Sequence, residues 1–321
     1  MVNPNGKANG THLYNQEVHT IHIPDAIRTG QTPTTAEIIA EAVTYLHRDG
    51  ILILENAVAQ EHLQTLESML IPEALEISQN PHHHFNWNKG NMDQAPPLTP
   101  NLMFSDIWAN PAVVSICSAI LGPNPVCHYA NGNTALPKSR ARQPVHSDIH
   151  LPHPLFPFAY AVNVPLREMG VENGSTEIWV GSHRESSIEQ HNDDDLTIKS
   201  EVVEERRVHS PPVQPRVKRG SVVLRDIRLW HAGMPNGTER PRIMFAFVYQ
   251  PAWFQAPSKV LLPEKVKPLV ERWRQETGLV FNAEWVNGAV DHKLVSSDDV
   301  DFSTRNKRLL ELENLMRPTK F

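Results

Sequence analysis

From Val126 to Gln250 the chain is written in short β-rich segments parted by Gly, Pro and Asn, and this pattern constrains the fold more than any other feature. The segments are Val126–Thr134, Gln143–Asp148, Phe158–Pro165, Thr176–Val180, Ser221–Arg225 and Arg242–Gln250. Several short strands with turn residues between them predict an antiparallel sandwich or barrel and not a βαβ array. One interruption stands out: a 36-residue polar excursion, Arg184–Arg219, with Asp193-Asp194-Asp195, Glu204-Glu205 and Arg206-Arg207 inside it. An excursion of that length within a β domain is a functional lid or a solvated insertion. A lid is the expectation.

The residues ahead of Val126 read as helical. Thr34, with Glu37 three residues on, has the form of a capping box. Behind it Ile38, Ile39, Ala42, Val43 and Leu46 fall on one helical face, until Asp49-Gly50 ends the helix and Ile51–Leu54 reads as a strand. A second amphipathic helix fits Glu61–Leu70 through Leu63, Leu66 and Leu70, and a third fits Pro111–Leu121, stopped by Gly122-Pro123. The stretch from Ile71 to Pro100 is irregular and carries His82-His83-His84-Phe85-Asn86-Trp87. After the β-rich region, Pro263–Thr277 and Thr304–Met316 read as charged helices on the outside of the core.

Composition removes several function classes. Of the 321 residues 40% are apolar and 21% charged, enough for a sizeable core and against wholesale disorder. Thirty basic residues against 36 acidic ones give a net charge of −6, with no basic run, so nucleic acid and anionic membrane surfaces are poor partners. No stretch approaches the ~20 apolar residues that span a bilayer, and Met1–Gln16 has no apolar signal core. Cys117 and Cys127 cannot form a disulfide framework or a four-thiolate zinc site, and Thr319-Lys320-Phe321 departs from the peroxisomal Ser-Lys-Leu signal. A reducing, cytoplasmic location and a small-molecule substrate are expected. The 17 histidines raise a metal question.

There is no G-x-S-x-G elbow, P-loop or post-strand G-x-G-x-x-G, so hydrolase, NTPase and Rossmann readings lack their motifs. A His-x-Asp triplet occurs at His47-Arg48-Asp49, His146-Ser147-Asp148 and His191-Asn192-Asp193. Chance alone supplies ~0.7 of them from 17 histidines and 13 aspartates in 321 residues, so context must choose. His47 sits at a helix C-terminus, where imidazole suits the dipole and faces solvent. His191 lies in the acidic excursion. His146 and Asp148 fall in a run that reads as a strand, where residues i and i+2 share a face and can reach one cation. An iron(II) facial triad needs a third ligand, and His231 in Leu229-Trp230-His231-Ala232-Gly233 is the candidate. Arg242 then heads a strand expected to pair with that of His231. Its planar, permanently charged fork suits the distal carboxylate of a chelating co-substrate such as 2-oxoglutarate. Each residue also has an ordinary reading: a satisfied core histidine, a rim ion pair, a turn aspartate.

Five motifs in order resemble the phytanoyl-CoA dioxygenase family of iron(II)/2-oxoglutarate oxygenases. They are Gln143-Pro144-Val145-His146-Ser147-Asp148, Glu172-Asn173-Gly174-Ser175-Thr176-Glu177, Gly181-Ser182-His183-Arg184, Arg228-Leu229-Trp230-His231-Ala232-Gly233 and Arg240-Pro241-Arg242. The resemblance covers about residues 36–255, and the opening His47-Arg48-Asp49-Gly50 helix end with the following strand matches the family's usual start. It implies a mostly β fold with flanking helices around a double-stranded β-helix, the cupin-like jelly roll. It divides the chain into a flexible arm at 1–33, a dioxygenase domain at 34–255 with a lid-like insertion at 184–219, and a helical extension at 256–321. It implies His146, Asp148 and His231 as iron ligands, Arg242 on the distal carboxylate of 2-oxoglutarate, and Gln143, Asn133 and Thr176 as further co-substrate contacts. Glu172-Asn173-Gly174 is expected as the turn that sets barrel register. Iron(II), 2-oxoglutarate and O2 are the implied reactants, with ascorbate as reductant and succinate and CO2 as co-products. The implied outcome is oxidation of an unactivated C–H by hydroxylation, desaturation or rearrangement, in a branch acting on secondary metabolites. Retention of Asp148 argues against halogenation.

Where the motifs end, substrate choice begins. His83, Phe85 and Trp87 are candidate lid residues over the primary substrate, with a surface loop bearing two tucked-in aromatics as the alternative. The charged C-terminal helices are compatible with a homodimer or a solvated cap. Two rivals remain open at this level: a cupin-type iron enzyme that needs no 2-oxoglutarate, and a metal-free jelly-roll binding protein.

Overall fold

A computed structural model of the chain describes residues 17–149, 157–192, 196–254, 256–297, 300 and 302. Its helices are α1 (Asp25–Arg28), α2 (Ala36–Asp49), α3 (Gln60–Ile77), α4 (Ser105–Trp108), α5 (Pro111–Leu121), α6 (Ser200–His209) and α7 (Lys267–Thr277). Its strands are β1 (Thr20–His22), β2 (Ile51–Glu55), β3 (Asn91–Asp93), β4 (Val126–Ala135), β5 (Tyr160–Pro165) and β6 (Glu177–Ile178), then β7 (Val222–Asp226), β8 (His231–Ala232), β9 (Arg242–Gln250), β10 (Val260–Pro263), β11 (Val280–Phe281) and β12 (Ala283–Val286). The helix read at Thr304–Met316 lies outside the described residues. No described helix is long and apolar enough to cross a membrane.

The jelly roll expected from the sequence is not formed. Eight strands make one open sheet in the order β1-β2-β7-β5-β9-β4-β11, with β3 beside β4, while β6-β8 and β10-β12 form separate two-stranded sheets. Among the described residues β1 and β11 are free edges, so no strand there closes the sheet into a barrel, and with the seven described helices the fold is mixed α/β. Two local expectations change with it. Gln143–Asp148 makes only isolated bridges, His146 to Thr197 and His146 to His231, in place of a strand. Arg242 does not sit beside the strand of His231: β9 pairs with β4 and β5, and β8 pairs with β6. Thr20–His22, within the segment read as an arm, adds β1 in parallel to β2.

The two faces of the sheet have different tasks, set by the period-two alternation of strand side chains. In β9, Ile243, Phe245, Phe247 and Tyr249 join the main core with the inner faces of α2, α3, α5 and α7. The intervening Arg242, Met244, Ala246 and Val248 line a cavity on the other face. Likewise Val222 and Leu224 of β7 enter the core, while Val223 and Arg225 line the cavity. Burying each large core side chain contributes roughly 1.5–3 kcal/mol, so the helix-covered face anchors the sheet while the other lines the cavity. The helical layer is capped locally. α5 starts on Asn110, whose side chain accepts from Ala112 and Val113 N–H with Pro111 at the first helical position. For α2 the cap is Thr35 and not the Thr34 of the expected capping box: Thr35 Oγ1 accepts from Ile38 N at 3.4 Å. α2 ends on Gly50 at φ +75°, where a Cβ would stand 2.4 Å from the His183 ring.

Candidate active site

A cavity of about 810 Å³ lies against the second face of the sheet, and the candidate metal ligands meet on its wall. His146 and His231 are drawn together by their backbones, each N–H donating to the other's carbonyl at 3.0 and 2.9 Å. Asp148 follows two residues on, its N–H on Ile227 O at 2.9 Å. One ligand atom from each of His146, Asp148 and His231 lies within 4.8 Å of the others. His191, from the third His-x-Asp triplet, is also drawn in, but its Nε2 is 2.8 Å from Ser147 Oγ. His47 stays exposed at the end of α2.

Second contacts orient the ligands. His146 Nδ1 is 2.9 Å from Pro144 O, and His231 Nδ1 is 3.0 Å from Leu229 O. Each imidazole thus donates Nδ1–H to the carbonyl two residues back, which leaves Nε2 as the free lone pair. Arg225 Nη2 donates to Asp148 Oδ2 at 2.7 Å, so one carboxylate oxygen is held and Oδ1, 3.5 Å from His231 Nε2, is turned inward. Burial would raise the Asp148 carboxyl, but the Arg225 guanidinium beside it outweighs this and holds the group well below the usual carboxylate range. Burial, then the charge of Arg225, keeps His231 neutral and its pKa far below its ordinary value. A carboxylate and neutral imidazoles are the forms that bind a metal.

Arg242 lies in the same cavity, 1% exposed. Its Nη1 and Nη2 donate to Asn133 O at 3.2 Å and Gly174 O at 2.9 Å, and Nε has no partner. The Glu172-Asn173-Gly174 turn, read as a marker of register, therefore holds the guanidinium directly. Burial lowers Arg242 to about 10, so it is still a cation at neutral pH. No carboxylate pairs with it among the described residues, which is costly for a buried charge unless a ligand supplies one.

The remaining sequence candidates divide. Asn133, Gln143 and Thr176 line the cavity. Asn133 Oδ1 is buried without a partner. Gln143 spends its amide on the framework, with Oε1 accepting from Gly233 N at 2.7 Å and Nε2 directed to Asn86 O at 3.4 Å. Of the lid candidates, Trp87 lines the cavity with its ring 4.2 Å from that of His146. His83 instead sits with Nε2 2.7 Å from Asp93 O, and Phe85 packs on the main core. The sequence reading missed Arg225, which closes the segment Ser221–Arg225 and reads there as a rim charge. It also missed Tyr129, which follows a β-bulge and has no local signature. The excursion contributes a wall: Leu196, Pro215 and Val217 line the cavity, and Ile198 N–H donates to Val145 O at 2.8 Å.

Two histidines and one carboxylate on a cavity wall, with a buried and acid-free guanidinium in the same space, define a metal-dependent oxidoreductase of the 2-oxoglutarate type. The sequence model of the phytanoyl-CoA dioxygenase family (PhyH) matches residues 46–244, more than half of the chain, which belongs to that family and carries iron(II)/2-oxoglutarate oxygenase chemistry. Solved structures agree at the level of fold. The epimerase SnoN, in complex with Fe3+, alpha ketoglutarate and nogalamycin RO, is 16% identical with a TM-score of 0.52 over 68% of this chain and 85% of its own. AviO1 from Streptomyces viridochromogenes Tue57 is 19% identical, TM-score 0.51, over 68% and 98%. EctD from S. alaskensis, with 2-oxoglutarate and 5-hydroxyectoine, is 20% identical, TM-score 0.51, over 74% and 81%.

Proposed function

We propose that His146, Asp148 and His231 hold the iron(II), that Arg242 grips the distal carboxylate of 2-oxoglutarate, and that the enzyme oxidises an unactivated C–H of a small organic molecule in natural-product biosynthesis. The carrying observation is the convergence in one cavity of a three-ligand set and a buried arginine with no acid of its own. The donor set fits the metal, since two imidazoles and a carboxylate suit iron(II) and leave positions open. Arg242 fits the co-substrate, since its unpartnered Nε calls for an anion. When bound, iron(II) and 2-oxoglutarate supply an oxidant made from O2, with succinate and CO2 as co-products and ascorbate as reductant.

This chain's residues bind, orient and exclude. Arg225 fixes Asp148 so that one oxygen faces inward, and the carbonyls of Pro144 and Leu229 fix the two imidazoles. Asn133 and Thr176 offer polar contacts beside Arg242, and Gln143 holds Gly233 and Asn86 as walls around the ligands. Met169, Ile178, Val217 and Val223 make the surroundings apolar and keep water from the reacting carbon. The natural-product assignment draws on SnoN and EctD, both solved with small metabolites. A reducing, cytoplasmic setting is in keeping with Cys117 and Cys127, both free thiols buried in the core, where burial raises each to about 12.

The test is an anaerobic titration of metal-free protein with iron(II) and then 2-oxoglutarate, followed by the visible charge-transfer band of the chelate. The parent is expected to develop the band and His146→Ala to lose it. Arg242→Met is expected to weaken 2-oxoglutarate by about 10–100-fold while iron(II) affinity stays within about twofold. An Arg242→Met protein that binds 2-oxoglutarate like the parent would return the cupin-type reading.

A further inference from the structure

The cavity has two ends of different character. Around Arg242 its wall is the cluster of Met169, Ile178, Val217, Val223 and Met244. At the other end Ile149, Ala161 and Val248 form a second apolar cluster, with Tyr129 and Phe302 packed on it. The whole volume, about 810 Å³, falls within the ~300–1,000 Å³ that encloses a drug-sized ligand. A five-carbon diacid at Arg242 leaves most of it unfilled.

Three features describe what the second end accepts. Its surface is aromatic. Tyr129 and Phe302 meet edge to face at 5.5 Å, and Trp87 stands against His146. Trp87 is held at φ +61°, a left-handed backbone that a bulky residue adopts only when its surroundings enforce it. Its charge is already spent. Among the described lining residues the ionisable side chains other than Tyr129 are His84, His146, Asp148, Arg225, His231 and Arg242. Three are the candidate ligands, Arg225 is on Asp148, Arg242 is at the opposite end, and His84 Nδ1 is 2.9 Å from Asp93 Oδ2. No lysine lines this space among the described residues, and no cation there is left for a phosphate, sulfonate or carboxylate.

The third feature is how the two aromatic walls are joined. The buried Asp93 carboxylate accepts from Ser297 N at 2.6 Å, from Ser297 Oγ at 3.0 Å and from Asn86 Nδ2 at 3.2 Å. One side chain therefore ties the segment bearing Trp87 to the segment leading to Phe302. The Phe302 carbonyl is fixed in turn by Gln250 Nε2 at 3.1 Å. Residues 297–302 lie beyond the part of the chain matched by the family, so this wall belongs to the chain's own extension.

We propose that the end of the cavity between Trp87 and the Tyr129–Phe302 pair binds an uncharged, ring-bearing apolar molecule, with Asp93 as the positioning residue that holds its two walls together. An acyl chain carried on a phosphate-rich group is disfavoured at this end, because no cation among the described residues is available to it. The inference rests on the reading above that Arg242 takes the 2-oxoglutarate.

The experiment compares two dyes on the anaerobic iron(II)/2-oxoglutarate complex by fluorescence titration. N-phenyl-1-naphthylamine is neutral, and 1-anilinonaphthalene-8-sulfonate is the same anilinonaphthalene frame with an anionic sulfonate. The neutral dye is expected to bind once per chain and about tenfold or more tightly than the sulfonate. Phe302→Ala and Trp87→Ala are each expected to weaken the neutral dye about tenfold. Phe302→Leu and Trp87→Leu keep apolar bulk for the case in which an alanine variant fails to fold, and each is expected to show a smaller loss in the same direction. Equal or tighter binding of the sulfonate overturns the proposal. So does neutral-dye affinity that is indifferent to both positions in variants melting like the parent. The charge-transfer band separates the two readings. A band without selective dye binding overturns this inference alone, whereas no band in folded, iron-loaded parent overturns the Arg242 reading and the inference with it.

Discussion

Arg225 is the residue on which the candidate metal ligands most depend without its being one of them. Its Nη2 holds Asp148 Oδ2 at 2.7 Å, and its Nη1 lies 3.1 Å from His231 Nδ1. In the tautomer that frees His231 Nε2, Nδ1–H points to Leu229 O, so the firm bond from Arg225 is the one to the carboxylate. Losing such an orienting partner commonly costs 10–100-fold in metal affinity. Arg225→Met is therefore expected to weaken iron(II) by about that factor in an anaerobic calorimetric titration, with Arg225→Lys intermediate because it keeps the charge and loses the planar fork. An unchanged affinity in Arg225→Met would show that Asp148 needs no such support. The grouping of His146, Asp148 and His231 was legible from the His-x-Asp spacing, although the strand from which it was argued is absent: His146 makes only isolated bridges, and the Asp148 N–H bond to Ile227 O brings the carboxylate in. Arg225 was not legible, because an arginine closing an apolar strand reads equally well as a rim charge.

At the scale of elements, alternation in β9 was readable and its closure was not. Arg242 to Gln250 follows the strand expected from the sequence, with alternate side chains sent to the helical core and to the cavity. Whether the strands close on themselves depends on pairings between residues far apart in the chain, for which no local pattern exists; here both ends of the sheet stay open. The β-bulge between Cys127 and Tyr129 makes the same point at smaller size. One extra residue lets Cys127 face the core and Tyr129, two positions on, face the cavity. The junction of α2 and β2 is legible from Asp49-Gly50, but the reason glycine is needed there is tertiary. At φ +75° a side chain is strained by about 1–2 kcal/mol, and its Cβ would meet His183 Nδ1 at 2.4 Å. Gly50→Ala is expected to cost about 2–4 kcal/mol in urea unfolding, strain and overpacking together. Thr35→Ala, which removes only the cap on Ile38 N–H, is expected to cost about 1 kcal/mol. A Gly50→Ala loss no larger than that of Thr35→Ala would mean that the His183 ring gives way freely.

For the molecule as a whole, His183 makes stability depend on pH. It follows the short strand β6 and packs against Gly50, and its Nε2 donates to His47 O at 3.1 Å, so it joins the cavity side of the fold to the end of α2. It is 3% exposed, and its Nδ1 has no partner to share a second proton. Burial lowers it from 6.5 to about 4; Asp226 and the His47 carbonyl oppose the shift, while Arg228 and Arg184 add to it. The sign follows from proton counting. Between about 6.5 and 4 the unfolded chain binds a proton that the native state refuses, so unfolding becomes easier as pH falls through that range. Below about 4 both states carry it and this contribution levels off. A difference of that size corresponds to about 3 kcal/mol. His183→Gln cannot titrate, so the stability difference between parent and variant is expected to be constant above pH 7. It should then move against the parent by about 3 kcal/mol as pH falls to 4. Chemical unfolding of both proteins across that range reads the effect directly, and parallel profiles would place the acid sensitivity of the fold elsewhere.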